Sequence, residues 1–512
     1  MLAEELRDCL EGEVRDDPIS RAVYSIDASI YEVEPIAIVL PKNRNEILTA
    51  IEIARRHDAA IIPRGAATGI TGGCLGKGLI IDTSKYLRKI HKIDYDSRYA
   101  ICEPGVVQNQ LNKELAHLDY RLGPDTSTGN RATLGGMLAN NAAGARSLRY
   151  GKMSDHIEAV EVALYSGEVI EFSAVSDDEL KQKLLLSGRE GDIYREVVRI
   201  RNEYADDIAK HYPNIPRRAS GYNLDTLLSP EPLNIAKLIA GSEGSLGIIT
   251  QMRVKISRRP QISGLCLIQC DEIGDALSLV AKILTHHPLS LEMVDNKILS
   301  AGRSLPLTAN RVGWIDGDPA AVLIVEFDAS TPEKLKDQLN QLANDLRADS
   351  RIYSLKIMTN LKEMENVWAV REGGLGLLLS KRSYSRAIAF IEDFSVAPAN
   401  LAPFMEEFQK LLKQNGKEAG IYGHVGAGCM HVRPYINLRD PSEIKTMQQL
   451  MEDTSRLILK YHGSLSGEHG DGLVRSWLNE AMFGKRLYQA FIDLKRAFDP
   501  AMKMNPGKII AT

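Results

Sequence analysis

The sequence predicts an α+β protein made of two large units and a short returning tail. Three observations predict it. Short apolar runs of β type alternate with helix-spaced patterns over residues 1–258. Composition shifts after Arg258-Arg259-Pro260, and a second strand–helix–strand series follows over 259–478. At 44% apolar and 25% charged residues in 512, the chain has the make-up of a folded protein, long enough for about two or three domains. The tail, 479–512, opens with a helical pattern that Asp499-Pro500 ends.

In order, Ile36–Leu40 reads as a buried strand, Asn45–Arg56 as a helix, and Ala60–Ile62 as a strand leading into a Gly-rich loop. Strands Leu79–Ile81 and Arg98–Cys102 and helix Val107–His117 follow. Glu158–Tyr165 and Glu168–Phe172 form a hairpin turning at Ser166-Gly167. Asp192–His211 reads as one long helix, and Gly244–Ile256 as one long strand. The second unit offers strands Leu265–Gln269, Ala321–Glu326, Arg351–Ile357, Ala387–Ile391 and Gly420–His424. Helices Ala276–Leu284, Pro332–Leu346, Leu401–Gln414 and Glu443–Tyr461 alternate with them, so an antiparallel sheet with helices on one face is expected. Leu305–Asp318, rich in Pro and Gly, is expected to be a mobile loop.

The net charge of −4 leaves no global nucleic-acid footprint. No run approaches 18 apolar residues, so no membrane span is expected, and the acidic start is no signal peptide. Six scattered cysteines without a CxxC pair argue against a disulfide framework, a zinc ribbon or an iron–sulfur cluster. A cytoplasmic protein is expected.

Five motifs carry chemistry. Pro63–Gly73 (PRGAATGITGG) follows a strand and can present backbone N–H groups to a pyrophosphate, although a simple flexible turn has the same composition. It is not GxGxxG, and no GxxxxGK[ST] occurs, so the nicotinamide and P-loop readings lack their fingerprint. Gly123–Gly144 is nearly free of bulky side chains, as a large ligand lying against backbone requires; a tightly packed helix over Leu134–Ala143 is the alternative. Gly241–Thr250 (GSEGSLGIIT) suits close backbone approach at a strand start.

The fourth motif is Tyr422–Val432 (YGHVGAGCMHV). A regular hairpin about Ala427-Gly428 sets His424 opposite His431, on one face and close enough for a two-imidazole chelate. A bulge would separate them. In the fifth, Ser466–Gly472 (SGEHGDG), Glu468 can complete a His₂-carboxylate set for a divalent ion, Zn²⁺ or Mn²⁺. His469 is left as a general base with an imidazole pKa suited to neutral pH. Arg371, in WAVREG, is a fork able to clamp a carboxylate, and Arg386 is a weaker second candidate.

Together, PRGxxTG, PDT…TLGG…NxAG, GSEGxLGIIT and the terminal NPGK resemble the vanillyl-alcohol oxidase / p-cresol methylhydroxylase flavoproteins. The chain is most similar to the branch of FAD-linked D-lactate dehydrogenases, the glycolate oxidase flavin subunit and D-2-hydroxyglutarate dehydrogenase. The resemblance implies a two-part FAD domain under a substrate cap. It carries over Arg64, Gly65, Ala66, Ala67, Thr68, Gly69 and Thr71 to the pyrophosphate. Pro124, Asp125, Thr126, Gly129, Thr133, Gly135, Gly136, Asn140 and Gly144 would line the rest of the cofactor. Glu243, Gly247 and Ile249 would hold the adenine-ribose side, and Asn505 would return towards the flavin. The first loop lacks the His of covalent-flavin members, so FAD is expected to be non-covalent. The same resemblance gives His424, His431 and Glu468 as metal ligands, and His469 and Arg371 as the residues acting on substrate hydroxyl and carboxylate.

Ile391 stands where the 2-hydroxyglutarate enzymes place a Lys, which leans towards a monocarboxylate such as D-lactate. A D-2-hydroxyglutarate or glycolate dehydrogenase, or a non-catalytic flavin subunit of a larger complex, are the alternatives. The chain stops where the flavin part of such proteins ends, so a separate iron–sulfur electron-transfer partner is expected, at the inner face of the membrane if anywhere outside the cytosol. The resemblance leaves room for a homodimer.

Overall fold

The computed structural model describes residues 1–306, 308–379 and 383–511. Three sheets organise them. The first has the order Glu13–Arg15, Ala37–Leu40, Leu79–Asp82, Ile61–Arg64; its last three strands are parallel. Parallel strands need a crossover, and helix Arg44–Arg56 supplies one by burying Ile47, Ala50, Ile51 and Ala54. Strand Ile61–Arg64 delivers the chain directly into the first Gly-rich loop.

The second sheet is antiparallel, in the order Leu233–Asn234, Val169–Val175, Ile157–Ala163, Ile248–Arg258, Tyr99–Cys102, Ile90–Asp94, with Tyr120–Leu122 also on Ile248–Arg258. Gly247 ends the third Gly-rich loop at φ 157, and the strand begins only at Ile248. The small-residue stretch forms a shorter helix than its alternative reading, Leu134–Ala139. The long helix expected over 192–211 is two, Arg189–Glu203 and Ala205–His211. They break at Tyr204 (φ −111°, ψ 13°), whose ring is buried in the core. Nothing in the residue types marks that break, because packing of the ring decides it.

The third sheet begins with Ile262–Cys270. Its order is Ser354–Met358, Ile262–Cys270, Ala321–Ala329, Ser290–Asp295, Ala419–His424, Cys429–Ile436, Arg386–Ala387, all antiparallel. On one face Leu277, Val280, Leu339, Leu342, Phe404 and Phe408 from three helices pack against Cys266, Ile268, Leu323 and Val325. The other face, expected to carry no helix, is partly covered. Val367 and Val370 of helix Leu361–Glu372 pack on Leu265, Leu267, Ile324 and Tyr422 there. The strand expected over 387–391 pairs only at Arg386–Ala387. Beyond it the chain still follows Cys429–Ile436 through single bonds, Val432 N–H to Glu392 O (2.7 Å) and Met430 N–H to Phe394 O (3.0 Å). Pro434 in the facing strand has no N–H to return, so no regular ladder extends there.

Of the 305–318 loop, Leu307 lies outside the described residues; Ala309–Arg311 is a 3₁₀ turn and Trp314 is buried in the cap core. The tail helix Asn479–Phe498 bends at Gly484 (φ 78°). The chain then returns to the first sheet, where Met504 bridges Ile61. Among the described residues no helix is long and apolar enough to cross a membrane.

Candidate active site

One cleft runs between the two sheets of the first half and the free part of the cap sheet. Its floor is backbone. Arg64 to Gly69 and Thr71 line it from the first loop; Asp125, Thr126, Thr133, Gly135, Gly136, Asn140 and Gly144 line it from the second; Glu243, Gly247 and Ile249 line it from the third. The absence of side chains is structurally required. A Cβ on Gly144 would lie 2.0 Å from the Asp125 carbonyl oxygen, and one on Gly135 would lie 2.6 Å from Pro104 Cβ. A long trough lined by small residues of three loops fits a dinucleotide lying along it.

Several residues carried over to the cofactor stand behind this surface. Pro124 and Gly129 do not line the cleft; the Pro124 carbonyl accepts from Gln108 Nε2 (2.6 Å), and Gly129 N–H bonds Thr126 O (3.0 Å). Asn505 is also outside it, donating through Nδ2 to Gly73 O (2.7 Å) and Glu243 O (2.6 Å). Arg64 turns its guanidinium to the carbonyls of Tyr24 (3.0 Å) and Ile26 (2.8 Å). The Glu243 carboxylate accepts the N–H groups of Asp471 (2.5 Å) and Gly472 (2.9 Å), so it braces the SGEHGDG loop. Burial, with Asp471 beside it, pushes that carboxyl up to about 7.

At the cap end stand three imidazoles. The hairpin register differs from the sequence expectation: His424 pairs with Cys429, and His431 with Tyr422. Val425–Ala427 makes a 3₁₀ turn and Gly428 takes φ 75°, so the loop is wider than a two-residue turn. The slip is of even parity, and side chains alternate with period two. His424 and His431 therefore still share a face as diagonal neighbours, with ring centroids 5.2 Å apart. Glu468 Oε1 lies 3.5 Å from His424 Nε2, 3.2 Å from His431 Nε2 and 3.2 Å from His469 Nε2. Tetrahedral ligands held at about 2.0–2.1 Å from zinc are about 3.3 Å apart. The donor set His424, His431 and Glu468 fits a divalent ion by both chemistry and spacing.

Each imidazole faces a buried carboxylate with its other nitrogen; at His424 the contact is a hydrogen bond, the arrangement that fixes tautomer and ring direction in metal sites, whereas at His431 and His469 it is a close ionic contact. His424 Nδ1 meets Glu292 Oε1 at 2.9 Å, His431 Nδ1 is 3.4 Å from Glu392 Oε2, and His469 Nδ1 contacts Glu392 Oε1. Burial alone would raise both acids. Opposing it, His424 and Arg371 hold Glu292 below the usual carboxylate range, and Arg433 and His469 hold Glu392 well below it. Burial likewise disfavours charge on His469, yet Glu392 and Asp393 outweigh it and set this imidazole well above its ordinary pKa. That differs from the near-neutral base expected from sequence.

Asp393 fixes the loop itself. Its Oδ2 accepts from Ser466 Oγ (2.8 Å), Glu468 N (3.1 Å) and His469 N (2.8 Å). Arg371 lines the cleft with Nε and Nη2 committed to Glu292 (2.9 and 2.5 Å), and its guanidinium lies over the Tyr422 ring. Arg386 is exposed and not part of the lining, and Ile391 is buried outside it. Arg433, not singled out from sequence, does line it, donating to Tyr422 Oη (3.3 Å) and Glu392 Oε2 (3.0 Å). Glu292 and Arg217 were also missed. A buried Glu inside SLEMVD and a charged pair ending an apolar run (IAFIED) are signals that sequence could have offered; Arg217 has none.

A glycine-floored trough between two half-domains, capped by an antiparallel sheet, defines an FAD-binding fold of the p-cresol methylhydroxylase type. The solved structure of p-cresol methylhydroxylase with substrate bound matches with a TM-score of 0.69 at 14% identity, over 100% of this chain and 96% of that one. Alkyldihydroxyacetonephosphate synthase matches with a TM-score of 0.65 at 19% identity, over 99% and 84%. At such identities the likeness concerns the fold alone. The family model "FAD linked oxidases, C-terminal domain" matches residues 259–509, and "FAD binding domain" matches residues 35–173. The chain thus carries the two domains of the FAD-linked oxidases and is similar to FAD-linked D-2-hydroxy-acid dehydrogenases. It is 32% identical to D-2-hydroxyglutarate dehydrogenase of Escherichia coli (strain K12), over 97% of this chain and 50% of that protein. It is 26% identical to glycolate oxidase subunit GlcD of Bacillus subtilis (strain 168), over 97% and 93%, and 24% identical to D-lactate dehydrogenase of Anaerostipes hadrus, over 96% and 93%. The chain spans about half the length of the D-2-hydroxyglutarate dehydrogenases it matches.

Proposed function

We propose that this protein oxidises a small D-2-hydroxy acid to the 2-oxo acid, with non-covalent FAD as hydride acceptor and a divalent metal, Zn²⁺ or Mn²⁺, at His424, His431 and Glu468. The observation that carries the reading is the convergence of three Nε2 atoms on one Glu468 oxygen at the end of a backbone-floored trough. When bound, FAD supplies the redox step and the ion supplies Lewis acidity at the substrate oxygens. The chain's residues do the rest. Arg371 holds the carboxylate with the edge of its fork that Glu292 does not use, which fixes the face presented and hence the D preference. His469 takes the hydroxyl proton at Nε2 in its neutral form, which Glu392 and Asp393 beside it make the minor one near neutral pH. The glycine floor and the cap sheet keep the reacting carbon between them, and this positioning is the protein's main contribution to the rate.

D-lactate remains the first substrate reading, supported by the apolar Ile391. A D-2-hydroxy diacid is the second, favoured by the extra guanidinium of Arg433 in the lining and by the names of the 32%-identical relatives. Electrons leave through an iron–sulfur partner or a further domain in this reading, at a cytoplasmic location, and a homodimer is compatible with it. Anaerobic mixing with D-lactate, L-lactate, glycolate and D-2-hydroxyglutarate tests the reading. Bleaching of the yellow flavin band by one D-acid is expected and identifies the substrate; no bleaching by any sinks it.

A further inference from the structure

Arg217 is one of the largest fully buried side chains, and no catalytic role above uses it. It comes from the loop 212–223 of the FAD-binding half and reaches into the cap. Nη1 donates to Glu468 Oε2 at 2.6 Å. Nε and Nη2 donate to Ser147 Oγ at 2.9 and 2.8 Å, and Nη2 also donates to the Gly144 carbonyl. The fork is thus fastened at its base to the segment that lines the cofactor trough, and at its tip to one oxygen of the metal-ligating acid. The other oxygen, Oε1, is the one that the three imidazoles face.

The geometry points to Arg217 as the positioning residue that makes Glu468 a one-oxygen ligand, anchored through Ser147 to the cofactor-binding wall. This inference rests on the metal site proposed above. A carboxylate free to rotate would present either oxygen, or both, to an ion; a fork bonded to Oε2 removes that choice. Ser147 does not line the cleft and is no candidate ligand, which makes it the milder handle on the same device.

Cobalt(II) titration of flavin-loaded protein, followed by the visible ligand-field bands, tests this without relying on turnover. Arg217→Met is expected to weaken cobalt binding about 10- to 100-fold, the range found when a partner of a metal ligand is removed. Arg217→Lys is expected to recover part of that loss, because an ammonium can reach Oε2 but cannot keep both anchors. Ser147→Ala should weaken binding in the same direction by less, with full flavin content, and should change the ligand-field band shape. If the Met variant does not fold, the Ser147→Ala and Arg217→Lys results decide. Wild-type affinity and spectrum in both would overturn the inference; failure of the wild-type protein to bind cobalt would instead overturn the metal site itself.

Discussion

Glu292→Gln isolates the part of the site that orients a ligand rather than supplies one. Glu292 is wholly buried and accepts from His424 Nδ1 at 2.9 Å and from Arg371 Nε and Nη2 at 2.9 and 2.5 Å. Glutamine keeps the shape but offers one acceptor oxygen. The Arg371 fork, which uses Oε2 for both bonds, claims that oxygen, and the new NH₂ group then faces His424 Nδ1. The imidazole must answer with an unprotonated Nδ1, which moves its proton to Nε2, the atom 3.5 Å from Glu468. A ligand nitrogen that carries a proton does not bind a metal. The expected loss is about 10- to 100-fold in metal affinity, or about 1.4 to 2.8 kcal/mol. A second cost falls on stability, because Arg371 loses the buried countercharge it pairs with; breaking such a pair costs about 3–5 kcal/mol, and the retained hydrogen bond puts this case at the lower end. Metal content after dialysis against a graded chelator, with the flavin band as an internal standard, reads the first effect; urea unfolding of the cap reads the second. Wild-type metal retention in Glu292→Gln would refute the claim that this acid sets the tautomer of His424.

Four further outcomes are expected. His431→Ala should retain FAD but lose metal and turnover; unchanged turnover would remove the metal from the mechanism. Chelator treatment of the native protein should abolish turnover while leaving the yellow band, and Zn²⁺ or Mn²⁺ should restore it; full activity without metal would contradict the site. Gly144→Ala should yield protein nearly devoid of flavin with an intact far-ultraviolet spectrum, because the new methyl group would sit 2.0 Å from a backbone oxygen that cannot swing aside; normal flavin content would show that the trough yields. Asp295, which accepts from Ile298 N (3.0 Å) and Ile421 N (2.7 Å), has its carboxyl raised by burial to about 6 from an ordinary 3.8. The folded protein then binds the proton more tightly than the unfolded chain does, so this group's contribution to stability falls as pH rises from about 4 to about 6. The difference between wild type and Asp295→Asn should shift against wild type by about 3 kcal/mol across that window; a flat difference would refute the assignment.

The motifs were legible because each is a local requirement. Glycine is demanded where a Cβ would collide with neighbouring chain, as at Gly65 and Gly135, so PRGAATG and TLGG announce closely approaching small-residue loops without any knowledge of which loop faces which. HVGAGCMH and SGEHGDG likewise show candidate metal-ligating side chains in a glycine setting. Pro124, Gly129 and Asn505 belong to those motifs yet support the trough from behind, because a motif records what a loop needs to fold as well as what it touches. The hairpin shows the same limit from another side. Its face was legible, since alternation by two survives any even slip, whereas its register depended on how the loop of Val425–Gly428 packed.

The sequence by itself determined the α+β class, the cofactor-binding loops and the identities of the three candidate ligands, because periodicity and glycine spacing are properties of short segments. Only the tertiary structure decided which charged side chains hold those ligands. Glu292, Glu392 and Arg217 lie 132, 39 and 251 residues from the His424, His431 and Glu468 side chains they hold. Contacts between segments so far apart are made by the folding of the sheets against each other; a local pattern such as SLEMVD or IAFIED can mark a buried acid but does not say which side chain it meets.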